Sequence, residues 1–114
     1  MPTANDILAH ILSNSPWVDQ EQTVDTVKTG DGSKPVQKAG VCWYPDIWTI
    51  RRAIKEGCGL LVTHEPLYWD HMGIDPPFKD VEPGRTKRQV LEESGLVVLR
   101  LHDSWDNWPG IGIR

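Results

Sequence analysis

The chain has 114 residues, 39% hydrophobic and 25% charged, with a formal net charge of −4 at pH 7. That composition suits one ordinary globular domain and excludes a disordered tail, and Lys+Arg 12 against Asp+Glu 16 leaves no basic field for holding nucleic acid by counterion release. No apolar run approaches the roughly twenty residues a membrane span needs, and "MPTANDILAHILSNSPW" lacks the basic start and small-residue cleavage site of a secretory signal, so a cytoplasmic protein is expected.

Residues 3–13 carry Ile7, Leu8, Ile11 and Leu12 on one stripe, which predicts a short amphipathic helix. Residues 17–38 contain Gly30, Gly32 and Pro35 and few large aliphatics, so a loop or a short edge strand around 23–28 is expected. The core follows at 39–101. "AGVCWY" (39–44) is a strand, and Ile47, Ile50, Ala53 and Ile54 are at helical spacing. Gly57 stands where a helix needs a left-handed stop, and "GLLVT" (59–63) is a second strand. The stretch 66–84 holds Pro66, Pro76, Pro77 and Pro83, which precludes regular structure over most of it. Helix resumes over 85–93, Gly95 ends it, and "LVVLRL" (96–101) is the third strand. Residues 102–114 form a C-terminal end with a candidate metal-site loop. Cys42 and Cys58 form no CxxC pair and read as small buried hydrophobes.

Strand, helix, strand, helix, strand with nearly continuous apolar strands predicts an α/β fold: a parallel or mostly parallel sheet with a βαβαβ core, its crossover helices covering the sheet faces. Ligands of such sheets bind beyond the carboxyl ends of the strands. His64 follows the second strand and His102 the third, so parallel topology brings both to one rim.

Adjacent residues on an extended backbone point apart, so His64 and Glu65 are expected to address different ions, and Pro66 favours that extended geometry. Pro66 and the spacing to His71 exclude a zincin helix. His102, Asp103 and Asp106 add one imidazole and two carboxylates, with His102 and Asp106 a helical turn apart if the chain coils there. Imidazole with carboxylate suits zinc, manganese or iron. The strand before His102-Asp103 argues against the helical setting of an HD-type phosphohydrolase. Trp69, Trp105 and Trp108 lie near these residues, where packing or stacking on a planar substrate ring would use them. Arg85, Lys87 and Arg88, like Arg51, Arg52 and Lys55, read as solvated helix faces.

These residues resemble the dinuclear-metal-centre family known as GTP cyclohydrolase 1 type 2, or NGG-one-interacting-factor-three-like. "HEP" (64–66), preceded by "CGLLVT", is similar to the family's His-His-Pro strand end, and "HDSWD" (102–106) to its His-Thr-Asn-Leu-Asp motif. "TVDTVKTGD" (23–31) is similar to its Asp-containing N-terminal segment. By position, the resemblance implies metal ligation by His64, Glu65 in place of a histidine, and Asp106, with His102 as a wall of the site. It also implies a homo-oligomer, a hexameric toroid, to whose interfaces the tryptophans would be suited. Such chains are about twice as long, and their C-terminal half supplies a further histidine and glutamate. The expectation is therefore an incomplete half of the family fold, truncated or complemented by another polypeptide.

Two functions are expected from this. One is a metal-dependent hydrolase with up to two divalent ions acting on a nucleotide-like or other phosphate- or amide-bearing small molecule, in which His102 or Asp103 orients ligands or shuttles a proton. The other is a regulatory or scaffold protein that binds metal in a ring without turnover.

Overall fold

The computed structural model describes residues 1–68 and 82–106. Pro76 and Pro77 of the proline-rich stretch, and the ending with Ile111 and Ile113, lie outside these residues. In chain order the described elements are α1 (Ala4–Ser13), β1 (Val27–Thr29), β2 (Ala39–Cys42), α2 (Ile47–Lys55), β3 (Leu60–Thr63), α3 (Gly84–Ser94), β4 (Val97–Arg100) and α4 (Asp103–Asp106).

Local chemistry sets the helix ends. Thr3 and Asp6 close α1 with a capping box, the Thr3 hydroxyl accepting the Asp6 N–H at 3.1 Å and the Asp6 carboxylate accepting the Thr3 N–H at 3.0 Å. Asp46 caps α2 by accepting the Thr49 N–H at 2.8 Å, and this bond holds its carboxyl below the usual range. Gly95 stops α3 at φ 71°, a conformation that is costly for a residue with a Cβ.

The four strands form one sheet in the order β1-β4-β3-β2. β2, β3 and β4 are parallel neighbours, and β1 joins β4 antiparallel at the edge. The mostly parallel α/β sheet expected from the sequence is present, with the short edge strand beside the last core strand.

Each face of the sheet has its own core, which is why the strands read as unbroken apolar runs. Ala4, Val36, Leu60, Val97 and Leu99 pack on the α1 side, with Ile7 and Leu8 of the helix against them. Ile50, Ala53, Leu61, Leu91, Leu96 and Val98 pack on the side of α2 and α3. A cavity mutation such as Leu61→Ala in this second core costs about 2–5 kcal/mol.

Two sequence expectations change. Lys87 is 1% exposed, not solvated. It shares a stripe with the buried Gly84 and Leu91 of α3, and its Nζ donates to the Leu67 carbonyl at 3.1 Å and lies over the Tyr44 ring. Cys42 and Cys58 are half-buried at the fringe of the second core rather than inside it, though burial still pushes the Cys42 thiol pKa up.

Candidate metal centre

Thr63 and Arg100, the last residues of β3 and β4, are register partners, so the chain leaves both strands at the same rim. The Leu101 N–H still donates to the Thr63 carbonyl at 2.9 Å, which carries the pairing one residue past β4. His64 and Glu65 follow one strand, and His102, Asp103 and Asp106 follow the other.

His64 and Glu65 do not diverge. The chain bends after Thr63, and the Glu65 Oε1 comes within 2.7 Å of the His64 Nδ1. The extended geometry that would have separated them ends with β3. The other ring nitrogen, Nε2, lies 2.6 Å from Asp106 Oδ1. Asp106 Oδ2 in turn lies 3.1 Å from the His102 Nε2, and the His102 Nδ1 lies 3.1 Å from Asp103 Oδ1. The two imidazole rings are 4.5 Å apart between centroids.

The coil that gathers the second group is α4, where the Asp106 N–H donates to the His102 carbonyl at 2.9 Å. A residue from far upstream builds it. Asp25 is fully buried, and its carboxylate accepts the N–H groups of His102 (2.7 Å), Asp103 (2.8 Å) and Ser104 (2.8 Å). The Asp103 carboxylate also accepts the Thr23 hydroxyl at 2.7 Å. Burial would raise the Asp103 pKa, but the bonds from Thr23, His102 and the Val24 N–H outweigh it and leave the carboxyl below its ordinary value.

His64, Glu65 and His102 each present a ligand atom within 4.8 Å of the other two, close enough together to hold a metal ion. Asp106 touches both rings from the side. Four ring nitrogens face carboxylate oxygens in these two histidines, and imidazole with carboxylate suits zinc, manganese or iron.

His102 thus lies within reach of His64 and Glu65, Asp106 contacts both rings, and Asp103 divides its oxygens between the His102 ring and the Thr23 and Val24 side. Sequence reasoning marked the stretch 23–31 but gave no role to Asp25, whose partners are 77 to 79 residues away, nor to Trp43, whose ring stacks on His64 at 3.9 Å. Trp43 and Trp105 line an apolar hollow of about 700 Å³ between α1 and the sheet, with His64 and Val62 in its wall. Trp69 and Trp108 lie outside the described residues.

No family model matches the chain. It is 25% identical over 108 residues to the GTP cyclohydrolase 1 type 2 homolog of Chlamydia pneumoniae, covering 94% of this chain and 41% of that protein. The corresponding homolog of Chlamydia muridarum is 26% identical over 107 residues. Among solved structures, reduced HcgD from Methanocaldococcus jannaschii superposes with a TM-score of 0.72 at 26% identity, covering 91% of this chain and 41% of that one. A Bacillus cereus protein related to NIF3 shares the fold, with a TM-score of 0.73 at 18% identity over 93% of this chain and 29% of its own. The resemblance read from the motifs is therefore borne out as a partial one, since the chain spans 41% of the length of these curated relatives.

Proposed function

We propose that the rim of β3 and β4 is a divalent metal centre serving a hydrolase-like reaction on a nucleotide-like or other phosphate- or amide-bearing small molecule. The observation that carries this reading is the convergence of His64, Glu65 and His102, with Asp106 against both rings. His64, Glu65 and Asp106 are the proposed ligands, and His102 stands close enough to join them. A bound ion would supply a Lewis acid and a water acidified toward neutrality.

The chain's own residues supply the rest. Asp106 orients both imidazoles through its two oxygens, and Asp103 holds the His102 Nδ1 and so fixes which ring nitrogen faces the site. His102 and Asp103 are the proposed proton-handling pair. The apolar hollow next to His64 would receive the non-reacting part of the substrate, with Trp43 and Trp105 offering flat surfaces to a planar ring.

A second reading is assembly into a metal-binding ring without turnover, in a cytoplasmic setting common to both readings. It is favoured by β2, which is an edge strand, with Val41 82% exposed and Trp48 77% exposed beside it. A second copy, or the remainder of a relative-length protein, would cover that edge and could bring additional ligands. No described helix is long and apolar enough to cross a membrane.

The test is metal content after purification without chelator, for the wild type and for His64→Ala and Asp106→Ala, followed by a hydrolysis screen over nucleotides and phosphoesters. Stoichiometric metal lost in both variants, with turnover in the wild type, supports the hydrolase. Metal and a ring-sized native mass with no turnover for any divalent ion support the scaffold. A folded wild-type chain without metal removes both readings for this chain on its own, leaving an interaction domain or a site completed by ligands from another polypeptide.

A further inference from the structure

Arg100 ends β4 and is 0% exposed. A fully buried guanidinium is costly to place, so its partners indicate what it is for. Its Nε–H donates to the His64 carbonyl at 3.0 Å. The next atom group along the chain, the Glu65 N–H, donates to the Trp43 carbonyl at 2.8 Å. These two groups belong to a single peptide unit, the one joining His64 to Glu65, whose C=O and N–H point in opposite directions in a planar trans peptide. One plane is thus gripped from both sides, by Arg100 of β4 and by the residue after β2.

That plane sets the directions of the two flanking side chains. In a continuing strand His64 and Glu65 would point to opposite faces, yet their ring nitrogen and carboxylate oxygen meet at 2.7 Å. The guanidinium also suits its electrostatic surroundings. Burial pushes its pKa down, while Glu65, Asp25, Asp103 and Asp106 favour its charged form.

We propose that Arg100 is a positioning residue for the rim: its Nε–H bond to the His64 carbonyl holds the His64–Glu65 peptide in the orientation that turns both side chains onto one ion. This rests on the metal-centre reading above for its function, and on the hydrogen bonds alone for its geometry. The proposal separates donor from charge, because glutamine places its Nε2 as many bonds from the Cα as arginine places its Nε. Arg100→Gln keeps a donor at that point without the charge. Arg100→Lys keeps the charge and puts a methylene there. Arg100→Met keeps neither.

The experiment measures Co(II) affinity and the visible Co(II) spectrum of the wild type and the three variants, with folding checked by circular dichroism. In parallel, the His64 ring resonances of the metal-free chains are recorded by NMR. Expected are near wild-type affinity, spectrum and ring resonances for Arg100→Gln. Arg100→Lys and Arg100→Met are expected to bind about 10–100-fold more weakly, with altered spectra and shifted His64 resonances. Wild-type affinity in a folded Arg100→Met or Arg100→Lys overturns the proposal, and so does an Arg100→Gln weakened as much as Arg100→Lys. If the wild type binds no cobalt, the metal reading falls, and the ring resonances decide the positioning role: unshifted in Arg100→Lys overturns it, shifted in Arg100→Lys but not in Arg100→Gln upholds it.

Discussion

Asp106 Oδ1 stands 2.6 Å from His64 Nε2, joining two residues that are 42 apart in the chain. Its second oxygen reaches His102 at 3.1 Å, so a single carboxylate aligns both imidazoles. Asp106→Ala should therefore release two rings at once. Its metal affinity is expected to fall by more than the roughly 10–100-fold typical of changes around a metal site. Asp106→Asn keeps one acceptor oxygen and should fall between the two. Isothermal titration with zinc or manganese checks the ranking, and equal affinity for all three proteins would contradict it.

Asp25 has a different role, because its partners are backbone amides rather than rings. Removing its carboxylate leaves the N–H groups of His102, Asp103 and Ser104 without that acceptor in a largely buried setting. Unmet buried donors cost about 1–3 kcal/mol each, so Asp25→Ala is expected to lose about 3 kcal/mol or more in urea denaturation. Asp25→Asn retains the oxygen that serves His102 and Asp103 and should lose less. It should also preserve more of the α4 turn, and hence more metal binding, than the alanine variant.

The parts of this architecture visible in the sequence are those with local signals. β3 and β4 read as strands because cores on both faces make them continuously apolar, and His64 and His102 were placed on one rim because parallel strands exit together. Asp25 lies in the "TVDTVKTGD" stretch whose resemblance marks it, but its structural role depends on residues far along the chain and has no local signal. The charge of Lys87 predicts a solvated side chain, whereas its position four residues before Leu91 puts it on the buried stripe of α3. The expected divergence of His64 and Glu65 assumed that the strand continued past Thr63. Arg100 sits in an apolar strand run, and its Nε–H donates to a backbone carbonyl, a contact that no residue pattern encodes.

The acid limb of stability should report the Thr23–Asp103 bond. Asp103 has a folded-state pKa below its ordinary value, so it contributes stability that is present above the unfolded pKa of about 3.9 and is lost as pH falls through the lower folded value. Thr23→Val removes the 2.7 Å hydroxyl bond that opposes the effect of burial. The folded pKa should then rise, narrowing that window. Denaturation midpoints measured from neutral pH down through the carboxylate range should begin to fall at the same pH in both proteins, set by the unfolded carboxyl, and should fall by less in total in Thr23→Val than in the wild type. Superimposable profiles would show that the hydroxyl does not tune this carboxyl.

Lys87 gives a slope of the same sign at the alkaline end. Burial lowers its pKa below the ordinary lysine value, with Asp46 and Cys42 partly opposing the shift. Below the folded pKa both states hold the proton, and the folded chain bears the full penalty of a buried ammonium. Between the folded pKa and the unfolded value of about 10.4, the unfolded chain retains a proton that the folded chain has released. Stability contributed by this group therefore rises with pH across that window. Cys42, whose thiol pKa burial pushes up, acts in the other direction once the unfolded thiol ionises at about pH 8.5, and Tyr44 and Tyr68 do so once unfolded tyrosine ionises at about pH 10. Both effects are shared by the two proteins, so the difference between them is the quantity to follow. Lys87→Met preserves most of the apolar stem that fills the space between α3 and Leu67 but carries no titrating group. The wild type should gain stability relative to Lys87→Met as pH climbs toward 10, read as a change in the difference between their urea midpoints. A difference that stays constant over this range would mean that the Lys87 ammonium remains charged beside Leu67 and Tyr44, and that its bonds there offset its burial.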